Sequence, residues 1–419
     1  MTVHLFHNAH IHTPRDAGEP ARGIQQAELV SYPKGAMVVE DGIITAIGHA
    51  SDVMPALEEA AIEAETDCQG RCLIPGFVDP HTHMCFARLR EAEFAMRLQG
   101  TPYMDILKQG GGILSSVQSV AETEEAALLE STLAQAQRAL RLGTTTLEIK
   151  SGYGLDTENE LKMLRVIDAV RRHTPLDVVA TFLGAHAVPP AYSDDPDAFV
   201  DLVVQEMLPA VADQGIARYC DVFCEKGVFG IQQSRRILLA ARQQGLELKI
   251  HADEVHDLGG AGLAAEMGAA TADHLLSTGD ANLEKLAAGS TVATLLPATA
   301  YSLRKPYARA RFMIDHHLPV AVATDCNPGS SYTESMPFVI GLAVLNMHMS
   351  PAEALTAATL NAAYAIGMAA DVGSLDKGKQ ADFLLIEGDS PAMLAYHAGV
   401  APIVAVFKRG VKVAQPGDE

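Results

Sequence analysis

The stretch LIPGFVDPHTH, residues 73–83, decides the reading of this chain. It begins as a short apolar run bounded by turn residues, which predicts a buried strand. It ends with His81 and His83 two positions apart, and in a strand side chains at i and i+2 leave by the same face. Two imidazoles so placed are able to hold one ion between their ring nitrogens. Two ligands are too few for a catalytic metal, which needs further nitrogen or oxygen donors and one position open to water. The companions must come from other elements.

Working outward, the same local theme recurs from residue 73 to 330: a short apolar run, a polar residue, then a segment with helical apolar spacing. Eight strands are predicted, at 73–83, 143–150, 177–187, 219–225, 246–254, 269–276, 290–299 and 319–329. Between them, segments such as 124–142 and 157–173 repeat Leu, Ile, Val and Ala every three or four residues beside charged positions, the pattern of helices that cover a sheet. The second starts after Asp156 and Thr157, and Glu160 stands where a capping box places its acid. Eight such units close most naturally into a (β/α)₈ TIM barrel, an α/β fold; no Gly-x-Gly-x-x-Gly turn follows the first strand to favour an open doubly wound sheet.

At the carboxyl ends of the fifth and eighth strands stand His251, after LELKI, and Asp325, after VAVAT. With His81 and His83 they form a predicted metal set on one rim of the barrel. His186, Glu254 and His274 also end apolar runs, and buried polar groups in register at one rim are costly unless they serve a site. The pair His10 and His12 has no comparable partners and reads as a surface strand, while His316 and His317 suit a helix end. Cys68/Cys72 and Cys220/Cys224 share a C-x-x-x-C spacing, but they read as core thiols rather than as a zinc site or a disulfide framework.

The two ends of the chain differ from the middle, with short β-like runs in residues 1–72 and again in the tail. They predict one composite β-sandwich from residues 1–72 and 372–419 beside a barrel over 73–371, with helices near 335–348 and 351–366 joining them. Thirty-one Lys and Arg against 52 Asp and Glu give a formal charge of -21, which repels nucleic acids and anionic membranes. The first residues lack a signal-peptide pattern and no run of about 18 apolar residues occurs, so a cytoplasmic protein is expected.

Several stretches bring a family into view. GFVDPHTH with the strand-end His and Asp resembles the amidohydrolase superfamily; EFAMRLQG (93–100), GGGILSSV (110–117), EIKSGYGLD (148–156), FLGAHAVPP (182–190), KIHADE (249–254), ADHLL (272–276), TDCNPGSS (324–331) and NAAYAIG (361–367) are similar to its imidazolonepropionase family. The chain departs from that pattern at Ala87-Arg88-Leu89 and at Cys326. The resemblance implies one Zn²⁺ or Fe³⁺ per subunit on His81, His83, His251 and Asp325, and substrate contacts from Arg90, Tyr153, His186, Glu254, Asn327, Gly329 and Ser330. No carbamylated lysine is implied, the ends of the second and fourth strands being assigned to Lys150 and Glu225.

It also implies a reaction, the hydrolytic opening of 4-imidazolone-5-propanoate to N-formimidoyl-L-glutamate. A metal lowers the pKa of bound water to about 7, which supplies a nucleophile at neutral pH. Asp325 is then expected to ligate and to accept the water's proton, His274 to stabilise the developing oxyanion, and Glu254 to move a proton at the ring nitrogen or else to orient a metal histidine. Arg90 and Tyr153 suit the propanoate carboxylate, although Arg90 is equally able to pair with Glu91 or Glu93. A cyclic amidase or deaminase of the same superfamily is the nearest alternative, and a non-catalytic scaffold the next. A homodimer is expected as the common default.

Overall fold

A computed structural model gives the structure, which describes residues 3–57, 62–101, 111–415 and 417. The amino-terminal region forms β1 (Val3–Pro14), β2 (Leu29–Glu40), β3 (Ile43–His49), β4 (Ala64–Asp67) and β5 (Cys72–Pro75). The barrel strands are β6 (Phe77–Asp79), β7 (Thr144–Lys150), β8 (Asp177–Ala185), β9 (Tyr219–Cys224), β10 (Glu247–Ala252), β11 (Thr271–His274), β12 (Val292–Leu295) and β13 (Val320–Val322). The tail adds β14 (Phe383–Ile386), β15 (Ile403–Lys408) and β16 (Val411–Ala414).

Strands β6 to β13 lie side by side in chain order and every pair is parallel. Helices such as Glu125–Arg141, Thr157–His173 and Ile231–Gln243 carry the chain back between them, as parallel pairing requires. The first and last strands meet through the residues just beyond them. Asp325 N donates to His81 O at 3.1 Å, His83 N to Cys326 O at 2.9 Å, and Thr324 N to the Asp79 carboxylate at 3.1 Å. The eight-stranded barrel predicted from the sequence is thus present, and the segments that bring its ends together carry three of the predicted ligands.

The termini share a separate sheet of order β16-β15-β14-β5-β1-β2-β3, with β4 beside β1, and form a sandwich-like unit. Its core stacks Phe383 on Phe407 at 4.5 Å between ring centres, with Phe6 edge-on to Phe383 at 4.8 Å. We propose the division into residues 1–72 with 372–419 and residues 73–371, with β5 carrying residues 73–75 into the sheet of the termini.

Three local expectations are corrected. Residues 73–83 are not one strand: β5 pairs with β1 and β14, whereas β6 pairs with β7. Pro75 has no N–H to continue a ladder. At Gly76 the chain passes so close to β7 that a Cβ would lie 2.3 Å from the Thr145 hydroxyl. Residues 290–299 likewise hold only a short strand, because Pro297 opens the helix Pro297–Leu303. The helix Thr157–His173 is capped by Asp156, whose side chain accepts from Asn159 N at 2.8 Å; Glu160 turns away to another partner described below.

All six cysteines are buried and free. His12 lies in β1, bonded to Ser31 and to the carbonyl of Asp389, apart from the barrel rim. Among the described residues no helix is long and apolar enough to cross a membrane.

Candidate metal centre and substrate cavity

At the carboxyl rim of the barrel the Nε2 atoms of His81 and His251 each lie 3.3 Å from Nε2 of His83. Asp325 Oδ1 stands 3.5 Å from Nε2 of both His81 and His83. Their opposite faces are fixed: Nδ1 of His81 meets Asp273 Oδ2 at 2.6 Å, and Nδ1 of His251 meets Asp221 Oδ2 at 3.0 Å. A proton held on each Nδ1 leaves Nε2 as a bare lone pair. Burial, with smaller contributions from neighbouring cations, holds His81 and His83 well below the ordinary histidine range, so both are neutral.

The Nε2 atoms of three imidazoles and a carboxylate oxygen converge in this buried site, an arrangement of donor atoms that a cation standing among them would stabilise. This donor set fits a first-row metal ion. His274 adds a further nitrogen within 4.8 Å of those of His81 and His251.

Asp325 and His274 both adopt left-handed backbone, with φ of 51° and 74°. Non-glycine residues do so rarely and at a cost of roughly 1–3 kcal/mol. For Asp325 the surroundings enforce it: its N–H bonds His81 O, and its Oδ2 accepts from the Thr299 hydroxyl at 2.5 Å.

A cavity of about 580 Å³ opens over this cluster. Of the predicted ligands His83, His251 and Asp325 line it, while His81 sits fully buried behind them. Every predicted substrate contact also lines it: Arg90, Tyr153, His186, Glu254, Asn327, Gly329 and Ser330. The His186 ring stacks on His83 at 4.9 Å, and its Nδ1 faces Gly152 O at 3.0 Å. Burial pushes Glu254 up to about 7 and His274 down to about 3. Glu254 Oε1 lies 3.8 Å from Nδ1 of His274, so the residue expected to move a proton and the one expected to stabilise the oxyanion are neighbours.

Two residues carry more structural duty than the sequence suggested. Arg90 gives Nε and Nη2 to the carboxylate of Glu93, at 3.1 and 3.0 Å, while still lining the cavity. Asn327 spends its Oδ1 on the N–H groups of Gly329 and Ser330 and its Nδ2 on Asp325 O, so it shapes the turn beside the metal aspartate. Gly329 permits that turn to press on Arg90, whose Cζ would lie 2.7 Å from an added Cβ.

Sequence reasoning missed Arg97 and Lys305, two further cations on the cavity wall, and Phe223, which lines the same cavity near His186 and His251. It also missed Asp221 and Asp273, which lie within strands read as apolar.

Residues 72–413 match the Amidohydrolase family. Imidazolonepropionase of Desulfotalea psychrophila is 63% identical over 413 residues, covering 99% of this chain and all of that protein. That of Syntrophobacter fumaroxidans is 59% identical over 415 residues, covering 99% and 98%. The chain belongs to the imidazolonepropionase family of the amidohydrolases.

Among solved structures, guanine deaminase of E. coli superposes with a TM-score of 0.74 at 14% identity over the whole of both chains. A zinc-bound adenosine deaminase of Xanthomonas campestris gives 0.71 at 18%, covering 98% of this chain and 93% of that one. These two show the shared amidohydrolase fold. Members of the amidohydrolase superfamily are metal-dependent, and the His/Asp cluster at this rim is able to hold a metal ion.

Proposed function

We propose that the protein opens the ring of 4-imidazolone-5-propanoate by hydrolysis, yielding N-formimidoyl-L-glutamate, with one Zn²⁺ or Fe³⁺ held by His81, His83, His251 and Asp325. The observation that carries the reading is the junction of two features in one cavity: a cluster of lone-pair donors at its floor and three cations, Arg90, Arg97 and Lys305, on its walls. The first suits hydrolysis, and the second suits an acid rather than an uncharged nucleobase.

Bound by these four residues, the ion would supply Lewis acidity that makes water nucleophilic toward the ring carbonyl at neutral pH. Asp325 accepts a proton from that water, its other oxygen being held by Thr299. His274, neutral because it is buried, donates toward the oxygen on which charge develops. Glu254 delivers a proton to the ring nitrogen as the C–N bond breaks. The carbonyl carbon, still bonded to its ring neighbour, becomes the α-carboxylate, and the released nitrogen becomes the terminal nitrogen of the formimidoyl group. Arg90 and Tyr153 hold the propanoate, and His186, stacked on His83, orients the ring.

The test is direct: measure bound metal in the purified protein, then follow loss of the imidazolone chromophore and appearance of N-formimidoyl-L-glutamate. A metal-replete sample that leaves the substrate intact overturns the proposal. We further propose a cytoplasmic homodimer, which light scattering and cell fractionation check.

A further inference from the structure

Beneath the ligand cluster lies a layer of charged side chains with no exposed surface. Glu148 and Lys150 come from β7, Asp221 from β9, Lys249 from β10 and Asp273 from β11. Lys150 Nζ lies 2.8 Å from Glu148 Oε1, 3.0 Å from Asp221 Oδ2 and 3.9 Å from Asp273 Oδ2. Those two aspartate oxygens are the same atoms that meet Nδ1 of His251 and of His81. One ammonium thus stands between the two carboxylates that aim two separate imidazoles.

We propose that Lys150 is a positioning residue for the metal centre, coupling the orientation of His81 to that of His251 through Asp273 and Asp221. Two carboxylates buried in one layer repel each other, and without a cation between them they turn apart. That movement withdraws the acceptor that fixes each Nδ1 and so frees the ring to rotate. Lys249 does not replace it: its Nζ is committed to Pro80 O at 3.0 Å and lies over the Tyr219 ring at 5.2 Å, with Glu148 as its closest carboxylate at 3.7 Å. Glu148 is the anchor of the ammonium, being itself held by Thr82 N and the Thr181 hydroxyl.

This inference rests on reading His81, His83, His251 and Asp325 as ligands. Its test therefore measures metal binding and geometry without substrate. Wild-type and Lys150→Met apoproteins are compared for Zn²⁺ affinity by chelator competition and for the visible absorption of bound Co²⁺. Thermal unfolding of each apoprotein runs alongside. The expected result is a folded Lys150→Met protein whose Zn²⁺ affinity is roughly 10–100-fold weaker, the loss typical of removing support from a metal histidine, and whose Co²⁺ spectrum is altered. Lys150→Arg, which keeps a cation, should recover part of both.

If Lys150→Met does not fold, Lys150→Met with Glu148→Gln removes one charge of each sign and keeps the layer's net charge. It should fold and show the same loss of affinity. A folded variant with wild-type affinity and spectrum, whatever its melting temperature, would overturn the inference. Failure of the wild-type protein to bind either ion would instead remove the reading of the ligands.

Discussion

At the scale of single residues, the chemistry turns on groups whose charge the fold has moved. Burial raises Glu254 to about 7; the nearby His251 opposes that and Glu225 adds to it. As a proton donor to the departing nitrogen it acts in the protonated form, so kcat should fall as pH rises through about 7. In Glu254→Gln that limb should vanish and turnover should drop by roughly 10²–10⁴ with metal content near normal. Loss of metal instead would assign the carboxylate to support of a ligand. Arg90 presents a different balance, because Glu93 takes two of its N–H groups and Ser116 lies 3.5 Å from Nη1, while the residue still lines the cavity. Removing a charged hydrogen bond costs about 1.5–3 kcal/mol. Arg90→Ala should therefore raise KM roughly 10- to 100-fold with metal unchanged, and an unchanged KM would take Arg90 out of the site. In both residues the role was legible from position at a strand end or in a family-like stretch. Glu93 was among the partners the sequence offered Arg90, whereas the influence of Glu225 on Glu254 was not legible.

At the scale of elements, the legible features were those with a local cause. The helix Thr157–His173 was legible because the apolar spacing behind Asp156 and Thr157 is regular, although its cap is Asp156 alone rather than a box on Thr157 and Glu160. What Glu160 does could not be read, since its partners lie in the loop before the helix. Its buried carboxylate accepts from the N–H groups of Gly152, Gly154 and Leu155, the last two at 2.8 and 3.0 Å. It therefore pins the loop that carries Tyr153 into the cavity. Three N–H groups lose their acceptor in Glu160→Ala, at about 1–3 kcal/mol for each group left buried and unpaired, less whatever water recovers. The expected outcome is a lower denaturant midpoint and a raised KM. A wild-type KM in the folded variant would show that the loop holds its shape without the carboxylate. The break at Gly76 was illegible for a similar reason: β5 and β6 look like one apolar run, and only the sheets on either side decide where it divides.

At the scale of the whole molecule, the order of eight strands and the meeting of distant ligands followed from the repeated β/α theme. The buried ionic layer did not: Glu148 and Lys150 stand two residues apart in β7, but Asp221, Lys249 and Asp273 each lie in another strand and meet them only when the barrel closes. The seam between barrel and terminal sheet is built on the same principle. Lys408, at the end of β15, reaches Asp177 at the start of β8 at 2.6 Å and also pairs with Asp382 beside β14. Its side chain is only 4% exposed and that of Asp382 only 2%. The carbonyl of Asp382 accepts from Gly76 N at 2.9 Å, so this cluster lies where the chain passes from one sheet to the other. Taking one partner from a buried pair typically costs about 3–5 kcal/mol, because the charge left behind has neither water nor counter-ion. Lys408→Met should lower the urea midpoint accordingly while leaving the metal content of the folded fraction intact. Adding Asp382→Asn, which removes the stranded charge, should restore part of the loss. If the single variant unfolds at the wild-type midpoint, the seam is held by apolar packing alone. If the second substitution only adds to the damage, the penalty lies in lost packing of the lysine stem rather than in an unpaired carboxylate.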